Sequence, residues 1–401
     1  MRGQERLHQE RLYFDHNATT PLRPAAAEAL VRAFSLPGNP SSIHAEGRAA
    51  RAAIERAREQ VARAVGGRAQ DVVFTSGATE ALNTLLRPAM TPTTGPSRIE
   101  RLLISATAHV AALEGHGFAP ESVETISVSD SGVIDIARLG RCLTELRGDG
   151  LFAPVMVAVE AANNETGALQ PIAEIAKLCD AVGAALIVDA AQIIGRAPFD
   201  LAASGAAAAV LSAHKFGGPK GVGAIVFNGE RLRSERPFIA GGGQEGRRRS
   251  GTENVAGIVA MGAAIEEAAR EAASLGARLD NWRSRVESAM RSAAPDLAVF
   301  ADAAPRLPGV SLVAIPGLRA ETLLMAFDLA GVALSSGAAC SSGKVRRSHV
   351  LDAMGVAPAL AEGAIRISLG WSTTDAEVER FAAIFANVIQ GLSERKNRRA
   401  A

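Results

Sequence analysis

Residues 184–221, AALIVDAAQIIGRAPFDLAASGAAAAVLSAHKFGGPKG, decide the fold of this chain. Two apolar runs, Ala185–Asp189 and Ala208–Ser212, both end on polar residues and are separated by a helix-like stretch. This spacing is typical of βαβ units, in which neighbouring strands are parallel and buried on both faces. The stretch therefore predicts two adjacent parallel strands whose carboxyl ends carry polar side chains.

The same alternation extends to both sides of this stretch. Further strands are predicted at Val72–Phe74, Arg101–Ser105, Val123–Val128, Pro154–Glu160 and Val222–Phe227. Most of these runs are separated by helix-like segments of a length that suits βαβ crossovers. The pattern predicts an α/β domain built on a mostly parallel, seven-stranded sheet.

The alternation stops at Arg236–Thr252, a loop rich in glycine and arginine. A helical region from about Glu253 follows, and then strands at Leu297–Phe300, Val310–Ala314 and Gly363–Ser368. We interpret this part as a smaller α+β domain. The predicted large domain covers residues 16–262, and the small domain is formed by residues 1–15 and 263–401.

The composition excludes several classes of protein. The chain has 401 residues and 48% hydrophobic residues, and 43 basic against 42 acidic residues leave a formal charge of +1. This balance argues against a dedicated nucleic-acid or membrane-surface binder. Three scattered cysteines predict neither a disulfide framework nor a metal site. With no apolar leader or membrane-length run, we expect a cytoplasmic protein.

The segment Thr75-Ser76-Gly77-Ala78-Thr79-Glu80 follows a predicted strand and begins a helix. Such a junction presents free backbone N–H groups and the positive end of the helix dipole to an anion. The alternative is an ordinary helix cap, since serine and threonine both suit that position.

Two polar groups follow the central strands. Asp189 is costly at a buried strand end unless it meets a cation or hydrogen-bond donors, although it also suits a helix cap. Lys215 follows a buried strand, where desolvation turns an amine into a nucleophile toward carbonyl groups. The alternative for Lys215 is a solvated lysine in a surface turn.

Three further features of the sequence are candidates for a functional role. Gly241–Gly246 matches G-x-G-x-x-G formally, but three arginines follow it instead of an apolar helix face. Cys340 lies in a small, polar and flexible segment, residues 334–346, where a cysteine is expected to be reactive. His109 follows a strand end, and a lone histidine there is more often structural.

A phosphate cradle, a strand-end carboxylate and a strand-end lysine are together what pyridoxal 5′-phosphate requires. With these motifs in this order, the chain resembles the cysteine desulfurases of the class V aminotransferase group, which are fold-type I pyridoxal-phosphate enzymes. The resemblance extends from Asp15-His16-Asn17-Ala18-Thr19-Thr20-Pro21 to Arg366-Ile367-Ser368-Leu369-Gly370. One departure is Ala108, where many members of the group have glutamate before the histidine.

The resemblance implies a role for each matching residue. Lys215 would form the Schiff base, His109 would stack on the cofactor ring and move protons, and Cys340 would accept sulfur. Thr252 would reach the phosphate of the other subunit of a homodimer. The remaining cofactor contacts would come from Ala78, Thr79, Asn164, Asp189, Gln192, Ser212 and His214, and the substrate carboxylate would be bound by Asn39 and Arg366.

The resemblance also implies the reaction. L-Cysteine would be converted to L-alanine while the Cys340 thiolate takes the sulfur as a persulfide. The sulfur would pass to a carrier or scaffold protein, with iron–sulfur cluster assembly as the expected destination. Two alternatives are a selenocysteine lyase, or another lyase of the same group, and a non-catalytic scaffold that keeps the fold. The chain is expected to bind no metal, nucleic acid or membrane.

Overall fold

The computed structural model describes residues 11–92, 98–150, 154–229, 231–234, 236–336 and 347–400. The strands, in chain order, are β1 (Leu12–Tyr13), β2 (Val72–Thr75), β3 (Met90–Pro92), β4 (Arg101–Ser105), β5 (Val123–Ile126), β6 (Val155–Glu160), β7 (Ala185–Asp189), β8 (Ala208–Ser212), β9 (Gly223–Phe227), β10 (Leu232–Ser234), β11 (Ala298–Val299), β12 (Val310–Ala314), β13 (Val332–Ala333) and β14 (Ile365–Ser368). The α-helices are α1 (Pro24–Phe34), α2 (Ala45–Ala64), α3 (Ala78–Leu85), α4 (Val110–Leu113), α5 (Ile136–Arg147), α6 (Ile172–Val182), α7 (Leu201–Ser204), α8 (Val255–Ala293), α9 (Ala320–Leu329), α10 (His349–Ala353), α11 (Pro358–Ala361) and α12 (Asp375–Ala400).

A seven-stranded sheet forms the centre of the larger part of the molecule, as the sequence predicts. Its strand order is β2-β9-β8-β7-β6-β4-β5. Strand β9 pairs antiparallel with both of its neighbours, whereas the pairs from β8 to β5 are parallel. Because β2 is antiparallel to β9, it runs in the same direction as the parallel strands. The carboxyl ends of six strands therefore lie at one edge of the sheet.

The central strands are apolar because helices cover both faces of the sheet. All six residues of β6 are buried, including Glu160 at its carboxyl end. Helix α6 ends at Gly183, whose φ of 68° lets the chain turn in the left-handed conformation into β7. The core on one face includes Val157, Leu186 and Met261 of α8.

A second, smaller sheet has the order β11-β12-β14, with antiparallel pairing throughout. Its core contains a cluster of phenylalanines, Phe327 of α9 with Phe381 and Phe385 of α12. Strand β1 pairs with β13, which brings the beginning of the described chain against this second unit. The division at residues 16 and 262 stays a prediction.

Most predicted elements are found within one or two residues of their predicted bounds. The short strands β1, β3, β10 and β13 were not predicted, because two or three residues carry no periodic signal. In the described part of the chain, no helix is both long and apolar enough to cross a membrane. The same residues contain no group of three or more His, Cys, Asp or Glu arranged to hold a metal ion.

A buried ion pair attaches the glycine- and arginine-rich loop to the sheet. The Arg58 guanidinium of α2 donates to both carboxylate oxygens of Glu245, at 2.8 and 2.9 Å. Glu245 also accepts a hydrogen bond from the backbone N–H of Phe74 in β2, at 2.9 Å. The two side chains are 9% and 2% exposed, so neither charge is solvated if the other is removed. This pair therefore holds the loop at the strand that leads into residues 75–80.

We expect Glu245→Ala to lower the free energy of unfolding by about 3–5 kcal/mol, because the buried Arg58 guanidinium loses its carboxylate partner at both terminal nitrogens. Its Nε then keeps only the exposed Glu55, at 3.2 Å. Urea denaturation followed by circular dichroism measures this change. The matched control is Arg63→Ala, which breaks an exposed 3.2 Å pair with Glu266 and should cost less than about 1 kcal/mol. Equal losses in the two variants would contradict the role of the buried pair.

Candidate active site

The carboxyl ends of the parallel strands open into a cavity of about 790 Å³. A cavity of this size suits a small-molecule ligand or cofactor. It brings together ten residues that the sequence analysis names as site residues: Ala78, Thr79, His109, Asn164, Asp189, Gln192, Ser212, His214, Lys215 and Arg366. Residues distant in sequence meet here because most of them end or follow a strand of the large sheet at this edge, whereas Arg366 comes from β14 of the second sheet.

Helix α3 begins at this cavity and presents its amino end to it. Its N-cap residue is Gly77, and no side chain caps the helix. Ser76 instead donates its backbone N–H to Glu80 Oε2 at 2.8 Å. A side chain at Gly223 in β9 would place its Cβ 2.7 Å from the Gly77 Cα, so this turn lies directly on the sheet. The uncapped helix end is an anion site of the kind that phosphate prefers.

The amine of Lys215 is largely buried in the cavity wall. Lys215 Nζ donates hydrogen bonds to the backbone carbonyls of Asn17, at 2.6 Å, and Ala18, at 3.0 Å. Burial, together with the Arg366 and Arg196 guanidinium groups, lowers the pKa of Lys215 from 10.5 to about 8. A fraction of the amine is therefore neutral near physiological pH, as a nucleophile toward an aldehyde requires.

Asp189 and His109 are two further ionisable groups of the cavity. Burial raises the pKa of Asp189, and the nearby His109 and Lys215 oppose that change. Partial burial lowers the pKa of His109, and Lys215 and His349 act in the same direction. His109 Nδ1 accepts the backbone N–H of Ala111 at 3.1 Å, which leaves the proton of the neutral ring on Nε2.

Asn17 connects several of the site residues, although the sequence analysis assigned it no role. Its carbonyl oxygen accepts from Gln192 Nε2 at 3.1 Å as well as from Lys215. Its side chain donates to the carbonyl of Asn164 at 2.9 Å and is contacted by the buried Arg196. The only advance signal was the position of Asn17 inside the first motif of the resemblance.

Arg366 lies on β14 and is 3% exposed. It pairs with Asp15 at 2.8 Å and donates to the carbonyl of Asn164 at 2.9 Å. Its Nε has no hydrogen-bond partner among the described residues. A buried guanidinium with an unsatisfied donor beside the cavity is suited to bind a carboxylate.

Three predicted site residues are not part of the described cavity. Asn39 and Thr252 are both exposed and do not line it, and their assigned contacts stay predictions. Cys340 and most of the 334–346 segment lie outside the described residues. Leu334, Ser335 and Ser336, the residues before this gap, do line the cavity.

Glu160 is an ionisable group of the cavity that sequence reasoning missed. Glu160 is the last residue of β6 and pairs in register with Asp189 on β7. The sequence signal that points to Glu160 is the same as that for Asp189: a carboxylate at the end of an apolar strand. Gly241–Gly246 forms no strand–turn–helix unit, since it lies in the loop between β10 and α8.

The residues of the cavity fit a phosphorylated aromatic aldehyde. The uncapped end of α3 suits the phosphate, and Lys215 suits the aldehyde. Gln192 Oε1 is buried and has no hydrogen-bond partner among the described residues. The Asp189 carboxylate accepts one hydrogen bond from the backbone of Ala191, at 3.0 Å, and keeps its remaining acceptor capacity. A protonated ring nitrogen would satisfy that carboxylate.

Comparisons with known proteins agree with this architecture. The aminotransferase class-V family model matches residues 12–381. The chain is 39% identical over 393 residues to a cysteine desulfurase of Cereibacter sphaeroides, covering 96% of this chain and 97% of the relative. It is 35% identical to the cysteine desulfurase IscS of Dictyoglomus turgidum, covering 95% of each chain. A solved NifS-like protein from Rickettsia africae has a TM-score of 0.82 at 31% identity, covering 95% of this chain and 99% of that one. The predicted fold is confirmed.

The pKa of Lys215 makes a direct prediction. Because only the neutral amine attacks an aldehyde, condensation of the protein with an aromatic aldehyde should accelerate about tenfold per pH unit and level off near pH 8. The rate is measured from the imine absorbance after rapid mixing. Arg366→Gln removes a cation that lowers this pKa, so its plateau should begin at higher pH. A wild-type rate that still rises at pH 10 would identify an ordinary solvated lysine.

Proposed function

The chain belongs to the aminotransferase class-V family, and from this premise we propose that it is a pyridoxal-phosphate-dependent cysteine desulfurase. It converts L-cysteine to L-alanine and retains the sulfur as a persulfide on Cys340. The observation that carries the proposal is the Lys215 amine, with its pKa lowered to about 8, in one cavity with Asp189 and the open end of α3. The relatives named above, which this chain matches over nearly its whole length, are cysteine desulfurases.

The residues that would hold pyridoxal phosphate are those that line the cavity. Lys215 would bind the aldehyde, and the start of α3 with Thr79, Ser212 and His214 would bind the phosphate. Asp189 would bind the ring nitrogen, while Gln192 and Asn164 would contact the phenolic oxygen, and His109 would stack on the ring. When bound, the cofactor supplies an electron sink for the charge that develops at the substrate Cα.

Two of these groups exchange protons with the substrate. With a pKa near 8, Lys215 Nζ is suited to take the proton from the substrate Cα and later to donate a proton at another atom. His109 is kept neutral by its lowered pKa, so its Nε2 proton is available while the ring still has basic character. The Arg366 guanidinium orients the substrate by binding its carboxylate. The Asp15 carboxylate, 2.8 Å from Arg366, competes with the substrate for this guanidinium.

The sulfur is removed by Cys340. Its thiolate attacks the substrate sulfur, so that an S–S bond forms and the substrate C–S bond breaks. The bonding electron pair stays with the carbon, which takes up a proton and becomes the methyl group of alanine. Cys340 is four residues after Ser336, a residue of the cavity wall. Four residues span at most about 14 Å, a chain length that is compatible with the proposed attack.

The proposal includes the oligomeric state of the enzyme, its location and the acceptor of its sulfur. The protein acts as a homodimer in the cytoplasm, with Thr252 reaching the phosphate bound by the partner subunit. The persulfide passes to a sulfur carrier or to a scaffold for iron–sulfur clusters. The alternative of a non-catalytic scaffold offers no reason for a lysine desolvated in this way beside Asp189.

The reaction itself tests the proposed function. Purified protein incubated with L-cysteine and a reducing thiol should release alanine and sulfide in equal amounts over many turnovers. Both products are quantified in the same sample. Neither product from protein that carries pyridoxal phosphate would contradict the desulfurase activity, and neither from protein that cannot bind the cofactor would favour the scaffold.

Lys215→Ala should abolish both turnover and the visible absorbance of covalently bound cofactor, because it removes the amine that binds the aldehyde. The matched control is Lys177→Ala, which removes an exposed lysine of α6 and should change neither. Absorbance and alanine release are measured on the two variants together. Full activity of Lys215→Ala would exclude the assigned role.

Cys340→Ser should retain the cofactor absorbance and still bind cysteine, but release no sulfide, since a hydroxyl does not accept the sulfur. Binding is followed as the spectral change on adding L-cysteine, and sulfide is assayed in the same cuvette. Sulfide output equal to that of the wild type would remove Cys340 from the mechanism.

A further inference from the structure

Glu160 is a carboxyl group of the cavity that the proposed chemistry leaves without a role. It is 5% exposed, and it borders both the main cavity and a small space beneath it that His109 and Asp189 also line. Its Oε2 atom is buried and has no hydrogen-bond partner among the described residues. An unpaired buried carboxyl oxygen is expensive, so its retention calls for an explanation.

The other oxygen of Glu160 holds the turn that carries His109. Glu160 Oε1 accepts a hydrogen bond from Thr107 Oγ1 at 2.7 Å. The Thr107 hydroxyl is also 2.9 Å from Ser105 Oγ, and the Thr107 carbonyl accepts from Asn163 Nδ2 at 3.0 Å. Thr107 is 1% exposed, so water does not replace these contacts. The strand end of β6 is thereby joined to the residues immediately before His109.

The charge of Glu160 is compatible with this role. Burial raises the pKa of Glu160, and its in-register neighbour Asp189 raises it further. A protonated Glu160 still accepts the Thr107 hydrogen bond through its carbonyl oxygen. The raised pKa of Glu160 also disfavours a second negative charge beside Asp189, whose own charge is needed at the ring nitrogen.

We propose that Glu160 is a positioning residue for His109, acting through the Thr107 hydroxyl. The inference deepens the proposed function and rests on it, since His109 matters only if the cavity performs that reaction. Glu160 fixes the height of the 105–109 turn above the sheet, and with it the distance between the His109 ring and the bound cofactor. Errors of about 1 Å in such a placement cost roughly a hundredfold in rate.

The test uses two pairs of variants of the holoenzyme. Glu160→Met and Thr107→Val each remove the hydrogen bond from one side, whereas Glu160→Gln and Thr107→Ser keep an acceptor and a donor. We expect the first pair to lower kcat by about 10- to 100-fold with a smaller change in KM. The second pair should stay within about threefold of the wild type. Wild-type turnover, measured first, tests the proposed function separately.

A double variant distinguishes one shared interaction from two independent defects. Glu160→Met with Thr107→Val should lower kcat by clearly less than the product of the two single effects, because both remove the Thr107–Glu160 hydrogen bond. Each single change also removes one contact of its own, Thr107 with Ser105 and Glu160 with Asn163. Additive losses, or a Glu160→Gln variant as slow as Glu160→Met, would overturn the positioning role. If Glu160→Met does not fold, as judged by circular dichroism, Thr107→Val and Thr107→Ser decide the question.

Two readouts separate positioning from a general loss of structure. The acidic limb of the kcat profile should move to higher pH in Thr107→Val, because a displaced His109 ring loses part of the desolvation that lowers its pKa, which then returns toward 6.5. The charged groups that face His109, namely Asp189, Lys215 and His349, are unchanged in this variant. The dissociation constant for pyridoxal phosphate, from titration of the apoprotein, should rise in the same variants. An unmoved pH profile and dissociation constant would contradict the inference.

Discussion

The parallel direction of β2, β4, β6, β7 and β8 is the constraint on which the site depends. Parallel strands place all their carboxyl ends at one edge of the sheet. Backbone groups and polar side chains at that edge are free to contact a ligand. The uncapped start of α3, His109, Asp189 and Lys215 follow four of these ends. The sheet thus brings together an anion site, two ionisable side chains and an amine from segments up to 140 residues apart.

The electrostatics of the cavity follow from this placement. Lys215 is buried and lies near the cationic Arg366 and Arg196, and both effects favour its neutral form. Asp189 and Glu160 lie side by side on adjacent strands, so their two negative charges oppose one another. The site therefore combines an amine whose pKa is lowered with carboxyl groups whose pKa values are raised. Proton transfer at neutral pH requires groups of this kind.

Much of this arrangement can be predicted from the sequence, because its signals are local. Short apolar runs of regular spacing predict β4, β7, β8 and β12 with their bounds, and the polar residues after them identify Asp189 and Lys215. Long-range contacts have no such signal. The use of the Asn17 carbonyl by Lys215 and Gln192 depends on how a segment preceding the large sheet folds back over it. Glu160 was not identified as a site residue because the apolar run before it predicts only a buried strand.

The central claim is that this cavity binds pyridoxal phosphate covalently at Lys215. It is tested most directly by reducing the holoprotein with borohydride, digesting it and locating the pyridoxyl group by mass spectrometry. The chain has five lysines, Lys177, Lys215, Lys220, Lys344 and Lys396, so the assignment is unambiguous. The account predicts that the group is found on the peptide containing Lys215, in about one copy per chain. Its presence on Lys220, which lines the same cavity, or its absence from every lysine would contradict the account.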